Sequence, residues 1–220
     1  MAGTFDLQAA GTLFSVVELV QEIRGGAYAD GKLANLGLGV GRLDGAVIAP
    51  GALFSFWALI GRPTAQAGFQ LGRSIRAGLV GGEIGGGLCQ LSGIAYELGL
   101  RAGLEPLERH AHSHDLYSEE ERFTPLGLDA TVVWPYKDLR LANPFDVPVT
   151  LRFALDGITL SASLRASRPI EPMAIEIERT DHEGRRAVRV SRGFEGSEFR
   201  PVSRDDYCAA PNANLTVRLP

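Results

Sequence analysis

The run GGEIGGGLCQLSGIAYELGLRAG, Gly81 to Gly103, constrains the fold more than any other stretch of the chain. Five glycines fall within seven residues, a cysteine follows, and a helical pattern comes directly after it. Glycine loses more conformational freedom on folding than any other residue, so such a run needs a cause in close approach or unusual backbone. Downstream, Leu91, Ala95, Leu98 and Ala102 share one helical face with Ile94 beside them, and Gly103 suits the left-handed position past a helix end. Nucleotide binding does not account for the run. A phosphate loop would end in Lys and then Ser or Thr. The spacing Gly82-x-x-Gly85-Gly86-Gly87 is not the dinucleotide pattern, and no clean strand is read before it.

The remaining explanation is that the glycines serve Cys89. At the first turn of a helix, the macrodipole and unpaired N–H groups stabilise an anion and lower a thiol pKa from about 8.5 toward neutrality. The N–H of Cys89 or Gln90, or the Gln90 amide, would meet a developing oxyanion. Gly86 and Gly87 would leave room for an extended substrate backbone. The plain alternative is a small buried cysteine without chemistry.

A thiolate nucleophile needs a base, and ERHAHSHDLY carries three of the four histidines, His110, His112 and His114, at alternate positions. In extended backbone they share one face. One of them would activate Cys89 while a carboxylate such as Asp129 orients it. A zinc site is the second reading, although no second ligand cluster is evident, and a polar loop with one buried histidine is the third. No cofactor and no metal are expected.

Bulk properties exclude other classes. The 220 residues suffice for a sizeable core, and 45% hydrophobic with 22% charged residues is an ordinary globular mix. With a formal charge of −4 and no Lys/Arg block, nucleic acid is not an expected partner. Nothing sets the oligomeric state. MAGTFDLQAAGTLFSVVELVQEIRGG lacks a positive start and is too short to span a bilayer. Leu13, Val16, Val17, Val20 and Ile23 instead predict an amphipathic helix over residues 1–26, ended by Gly25-Gly26. As written the chain reads as cytoplasmic, or extracytoplasmic if a leader is missing.

The pattern of elements predicts an α+β fold: one compact domain over residues 27–153, with the cysteine-bearing helix on a mainly antiparallel sheet, and a β-hairpin-rich extension over 154–220. VTLRFALDGITLSASL reads as a hairpin joined at Asp156-Gly157, and AIEIERTDHEGRRAVRVSR as a second with a longer turn at Asp181–Arg185. GAVIAPGALFSFWALIG reads as a strand, a turn and an apolar segment. LEPLERH, LDATVVWP and LRLANPFDVPVTLRF read as strands, while SRDDYCAAPNANL shows turn chemistry and little period. SEEERF reads as a solvated loop or helix start, Phe54, Phe56 and Trp57 as core, and Cys208 as chemically idle. Arg73 and Arg76 read as surface residues, with steering of a carboxylate as the alternative.

Four collinear stretches, DGAVIAPGALFSFWALIGRPTAQAGFQLGRSI, GGGLCQLSGIAYELGLRAGLEPLERHAHS, GLDATVVWPYKDLRLAN and PVTL, resemble the VanW domain from about Asn35 to Leu151. The resemblance implies a link to the cell wall and to vancomycin B-type resistance. For some members it implies L,D-transpeptidase activity on peptidoglycan through the motif cysteine. On that basis Cys89 is the nucleophile, His112 the base with His110 as fallback, and Asp129 the orienting carboxylate. Gly86, Gly87, Gln90, Ser92, Ser113, Asp138 and Asn143 fall on motif positions assigned to substrate binding. Gly93 and Trp57 depart from the family pattern. The implied partner is a peptide or peptidoglycan precursor. A VanW-fold module that binds a peptide or D-amino-acid ligand without catalysis is the competing expectation.

Overall fold

Strand pairing organises the N-terminal segment. In the computed structural model, which describes residues 13–76, 79–115, 122–209 and 215–219, Phe14–Glu22 (β1) runs antiparallel to Thr159–Ala166 (β10). The expected amphipathic helix is thus a strand over its described part, and residues 1–12 lie outside the described residues. A helical face containing Val20 would bury it, yet Val20 is 62% exposed while Gln21 and Ile23 are buried. The β-branched valines favour the pleated surface, and the ladder with β10 satisfies their backbone.

Four sheets, antiparallel in all but one pairing, follow from the same logic. The first sheet has the order β1-β10-β9-β2, with Val149–Asp156 as β9 and Val47–Ile48 as β2. The second combines Ala174–His182 (β11), Arg185–Gly193 (β12), Arg200–Ala209 (β13) and Leu215–Leu219 (β14) with His114–Asp115 (β7), in the order β14-β11-β12-β13-β7. Only the β13–β7 pairing in it is parallel. A three-stranded sheet joins Leu53–Ser55 (β3), Arg140–Ala142 (β8) and Glu105–Glu108 (β6), and Leu71–Arg76 (β4) forms a hairpin with Leu79–Ile84 (β5). The helices are Ala29–Leu43 (α1), Phe56–Ile60 (α2) and Leu88–Arg101 (α3). The fold is α+β, as the pattern of elements predicts.

Several details depart from expectation. A strand, β5, does precede the glycine run, but it belongs to a hairpin rather than a βαβ unit. The first C-terminal hairpin turns at Gly157-Ile158, one residue later than expected, because Asp156 pairs with Thr159. The second turns tightly at Glu183-Gly184, both with positive φ (48° and 76°), in place of the longer turn. SRDDYCA is most of β13, held by its ladder with β12 rather than by any period. LDATVVWP forms no ladder: Thr131 N–H donates to the His110 carbonyl and the Ala130 carbonyl accepts from Ser92 Oγ, so single side-chain and loop partners replace a strand. Of SEEERF, residues 118–121 lie outside the described residues.

α3 is the axis of the core. Its residues Gln90 to Leu100 are all buried, and it packs on α1, β1, β10, β6 and β11. One hydrophobic cluster runs from Ile23 through Leu98 to Val188, Val190 and Tyr207, so the C-terminal strands share the core with the rest. A boundary at residue 153 falls inside β9. The mouth of α3 is fixed by Asn35 on α1, which is fully buried. Its amide donates to the carbonyls of Gln70 and Gly86, both at 2.9 Å, and its oxygen accepts from Gln70 N–H at 2.7 Å. That one side chain ties helix, β4 entry and glycine loop together.

Candidate active site

The glycine loop is built for contact with its own protein. Gly87, the N-cap of α3, has φ 101°, a region that penalises side chains, and a Cβ there would lie 2.5 Å from Lys32 Cγ. A Cβ on Gly86 would lie 2.1 Å from the Gly72 carbonyl oxygen of β4. The run therefore lets β5 turn directly into α3 against β4 and α1, and this sets Cys89 in the first turn of a buried helix.

Cys89 is a free thiol, half-buried, with Sγ 3.9 Å from Thr131 Oγ1 and 3.8 Å from the Val132 carbonyl oxygen. Its decisive neighbour is His112, whose imidazole hydrogen-bonds the thiol. His112 Nδ1 meets Asp129 Oδ2 at 2.7 Å, and the same oxygen accepts the His112 backbone N–H at 2.8 Å. The other carboxylate oxygen accepts from Tyr207 Oη at 2.6 Å and from Arg109 Nη2 at 3.0 Å. Arg109 also donates to the Asp129 and Gly127 carbonyls, pairs with Asp205, and lies over the Tyr96 ring. Thiol, imidazole and carboxylate form one chain, backed by a buried cation.

The electrostatics follow from this arrangement. Burial opposes ionisation of Cys89, but the hydrogen bond and charge of His112 outweigh it and hold the thiol below its ordinary value of 9.0. Burial also opposes the imidazolium, yet Asp129 and Cys89 push His112 up to about 10. Asp129 resists the same burial through the His112 hydrogen bond and the Arg109 charge, which keep it well below the usual carboxylate range. Burial and the Asp129 charge raise Tyr207, so its hydroxyl stays a donor. The pairing moves both groups toward the thiolate and imidazolium forms.

A cleft of about 750 Å³ opens over Cys89, His112 and Asp129. Trp57, Val133, Trp134 and Tyr136 line one side of it, and Trp57 meets Trp134 edge-on at 5.8 Å. Trp57 and Phe56 are buried as expected of core residues, but Trp57 also walls the cleft. Gly86, Gly87, Gln90 and Ser113 line the cleft too. Gln90 N–H, however, donates to the Gly87 carbonyl, and its amide nitrogen reaches Gln21 Oε1 and the Glu22 carbonyl of β1. Ser92 Oγ donates to the Ala130 carbonyl at 2.6 Å and braces α3.

His110 binds Glu108 Oε1 at 3.1 Å and is not a lining residue, so the three histidines do not share a face. Asp138 accepts from Ser55 Oγ and from the N–H groups of Trp57 and Leu139, which caps α2. Asn143 donates to the Ile48 and Val147 carbonyls and accepts from Phe145 N–H. The structure thus places both motif residues outside the cleft. Among the described residues, no group of three or more His, Cys, Asp or Glu is placed to hold a metal, and no helix is long and apolar enough to cross a membrane.

The family of VanW like proteins matches residues 31–165, well over half of the chain. The chain belongs to the VanW family. Over 148 residues, 67% of this chain and 53% of the relative, it is 28% identical to the vancomycin B-type resistance protein VanW of Enterococcus faecalis. Over 133 residues, 60% of this chain and 42% of the relative, it is 30% identical to the uncharacterized protein YoaR of Bacillus subtilis. The chain spans about half the length of these relatives. No solved structure matches it.

The VanW match ends at residue 165, yet Asp205 and Tyr207 on β13 complete the cluster under Asp129. Sequence reasoning did not find them, nor Arg109, Thr131 or Lys32. Arg109 stands next to the first of the alternating histidines, and that adjacency is the one signal pointing to it. β13 contributes through pairing across the fold, which leaves no mark in local pattern.

Proposed function

We propose that this VanW-family chain is a cysteine-dependent acyl-transfer enzyme acting on peptidoglycan-type peptides, in keeping with the vancomycin B-type resistance for which its Enterococcus faecalis relative is named. The observation that carries the reading is the Cys89–His112–Asp129 chain at the floor of an open cleft. The Cys89 thiolate attacks the scissile carbonyl carbon, and the resulting oxyanion takes the Cys89 N–H at the start of α3, since the Gln90 N–H is committed to Gly87. His112 then gives its proton to the departing amine as the C–N bond breaks and a thioester forms. An acceptor amine surrenders a proton to neutral His112 and attacks the thioester, and the C–S bond breaks to restore the thiolate. Asp129 holds the ring so that Nδ1 carries a proton and the opposite nitrogen faces sulfur.

The test is intact-mass detection of an acyl-enzyme after mixing with a stem-type tetrapeptide. A peptide-sized increment that maps to Cys89, is absent in Cys89→Ala and persists in His110→Gln supports the enzyme. Saturable peptide binding by both wild type and Cys89→Ala, with no adduct in either, would replace it by a binding module.

A further inference from the structure

The segment that touches the thiol also carries four exposed residues in a row. Thr131 Oγ1 and the Val132 carbonyl oxygen lie 3.9 and 3.8 Å from Cys89 Sγ, and Val133 to Tyr136, all exposed, follow directly. They form a tight turn. Tyr136 and Lys137 N–H groups donate to the Val133 carbonyl at 2.6 and 2.8 Å, and Val133 N–H donates to the Lys137 carbonyl at 2.9 Å. Trp57 braces this turn from its buried side. Its indole N–H donates to the Lys137 carbonyl at 2.7 Å, and its ring meets Trp134 edge-on. Trp57 is 7% exposed, whereas Trp134 is 39% and Tyr136 82% exposed. Large apolar rings stabilise a fold by leaving water, so rings held rigidly in water need another cause. Among the described residues, neither the Trp134 indole N–H nor the Tyr136 hydroxyl has a hydrogen-bond partner.

Both rings line the cleft, so whatever they meet enters the cleft itself. An apolar side chain or an acyl tail needs enclosure, which a residue as exposed as Tyr136 does not give. Stacked nucleobases arrive with phosphates, and a chain of formal charge −4 with no Lys/Arg block is not built for them. A pyranose ring suits every feature. Its axial C–H face is apolar and weakly positive, which matches the negative face of an aromatic ring, and its hydroxyls meet N–H and O–H groups at the ring edges. A turn fixed in advance keeps the ordering cost of so small a contact low. We propose that Trp134 and Tyr136 form a saccharide-binding shelf at the rim of the cysteine cleft, with Trp57 as its brace. The shelf does not depend on the chemistry of Cys89. Joined to the acyl-transfer reading above, it makes the substrate a peptide carried on a sugar rather than a free peptide.

Trp57 and Trp134 are the two tryptophans of the chain, so intrinsic fluorescence reports on the shelf itself. The full chain is titrated with N,N′,N″-triacetylchitotriose, with cellotriose and with an unglycosylated stem-type tetrapeptide. The expected result is a saturable emission change with at least one trisaccharide, the same in Cys89→Ala as in wild type. Tyr136→Ala is expected to weaken that binding by about tenfold, the scale of one aromatic stacking contact. Tyr136→Phe keeps the ring face and should retain most of the affinity. Because Tyr136 is so exposed, both variants should melt as wild type does. No saturable change with either trisaccharide, or binding that Tyr136→Ala leaves unchanged, overturns the shelf. A Tyr136-dependent change with the tetrapeptide while both sugars are silent also overturns it and makes the turn a peptide wall. The catalytic reading fails separately: sugar binding by a chain whose Cys89 forms no acyl-enzyme keeps the shelf, and an acyl-enzyme in a chain that binds no sugar removes the shelf alone.

Discussion

Asp129→Asn slows acylation of Cys89 by about 10³–10⁴-fold, the cost of presenting the wrong group to a catalytic histidine. Every contact to the two carboxylate oxygens comes from a donor: His112 Nδ1 and N–H on one, Tyr207 Oη and Arg109 Nη2 on the other. An amide has a single accepting oxygen. If that oxygen faces His112, the NH₂ group is pressed against Arg109 and Tyr207. If it faces Arg109, the NH₂ group donates to Nδ1 and turns the ring so that a proton points at sulfur, which removes the base. Either way the charge that pushes His112 up to about 10 is gone, and the thiol returns toward its ordinary value. Single-turnover kinetics of thioester formation, with iodoacetamide labelling alongside, measures both losses. The native carboxylate also has a stability signature. Because its pKa is lowered on folding, its contribution is present above the unfolded carboxylate value and is lost as pH falls through the folded one. Asp129→Asn should flatten that acid limb.

Arg109→Leu has the largest effect on stability, about 3–5 kcal/mol, which for a chain of this length lowers the melting temperature on the order of 10 °C. The side chain is 5% exposed and meets Asp129, Asp205 and the carbonyls of Gly127 and Asp129. Its removal strands two acidic side chains and two carbonyls in the interior. The lost charge also lets the Asp129 pKa climb, weakening its grip on His112. Arg109→Lys is expected to recover little, since one ammonium cannot reach four acceptors arranged for a planar fork. Thermal or urea unfolding checks the magnitude. A change below about 1 kcal/mol would mean that this buried cluster is not what holds β13 under the site.

What the sequence made legible, and what it hid, divides along physical lines. α3 and its end at Gly103 (φ 87°) were readable because a helix stop is local chemistry. Cys89, His112 and Asp129, which the structure brings together, were readable as residue types near distinctive neighbours. β1 misled because Val16, Val17 and Val20 fit a helical spacing, while the ladder with β10, distant in sequence, decided the matter. α1 was hidden by its own glycines, which weaken a helix by about 1 kcal/mol each relative to alanine. Two of them, Gly31 and Gly39, are explained by the neighbours they admit. A Cβ on Gly31 would lie 2.1 Å from the Leu71 carbonyl oxygen, and one on Gly39 would lie 2.5 Å from Leu91 Cδ2. Ser92, Asp138 and Asn143 sit on motif positions and yet hold backbone rather than face the cleft. Motif membership marked what the fold needs as readily as what chemistry needs.

The central claim is that Cys89 is an activated nucleophile paired with His112. The most direct measurement is the pH dependence of iodoacetamide labelling at Cys89, followed by peptide mass spectrometry with exposed Cys208 as internal control. The thiol is lowered and the imidazole raised to about 10, so the thiolate–imidazolium pair exists between the two. Labelling should therefore rise at a pH clearly below 9.0, run level, and change again near 10 as His112 loses its proton. His112→Gln should move the first rise upward to the ordinary thiol range. A Cys89 that labels only after denaturation, or that titrates together with Cys208, would contradict the account and leave the cleft as a binding site.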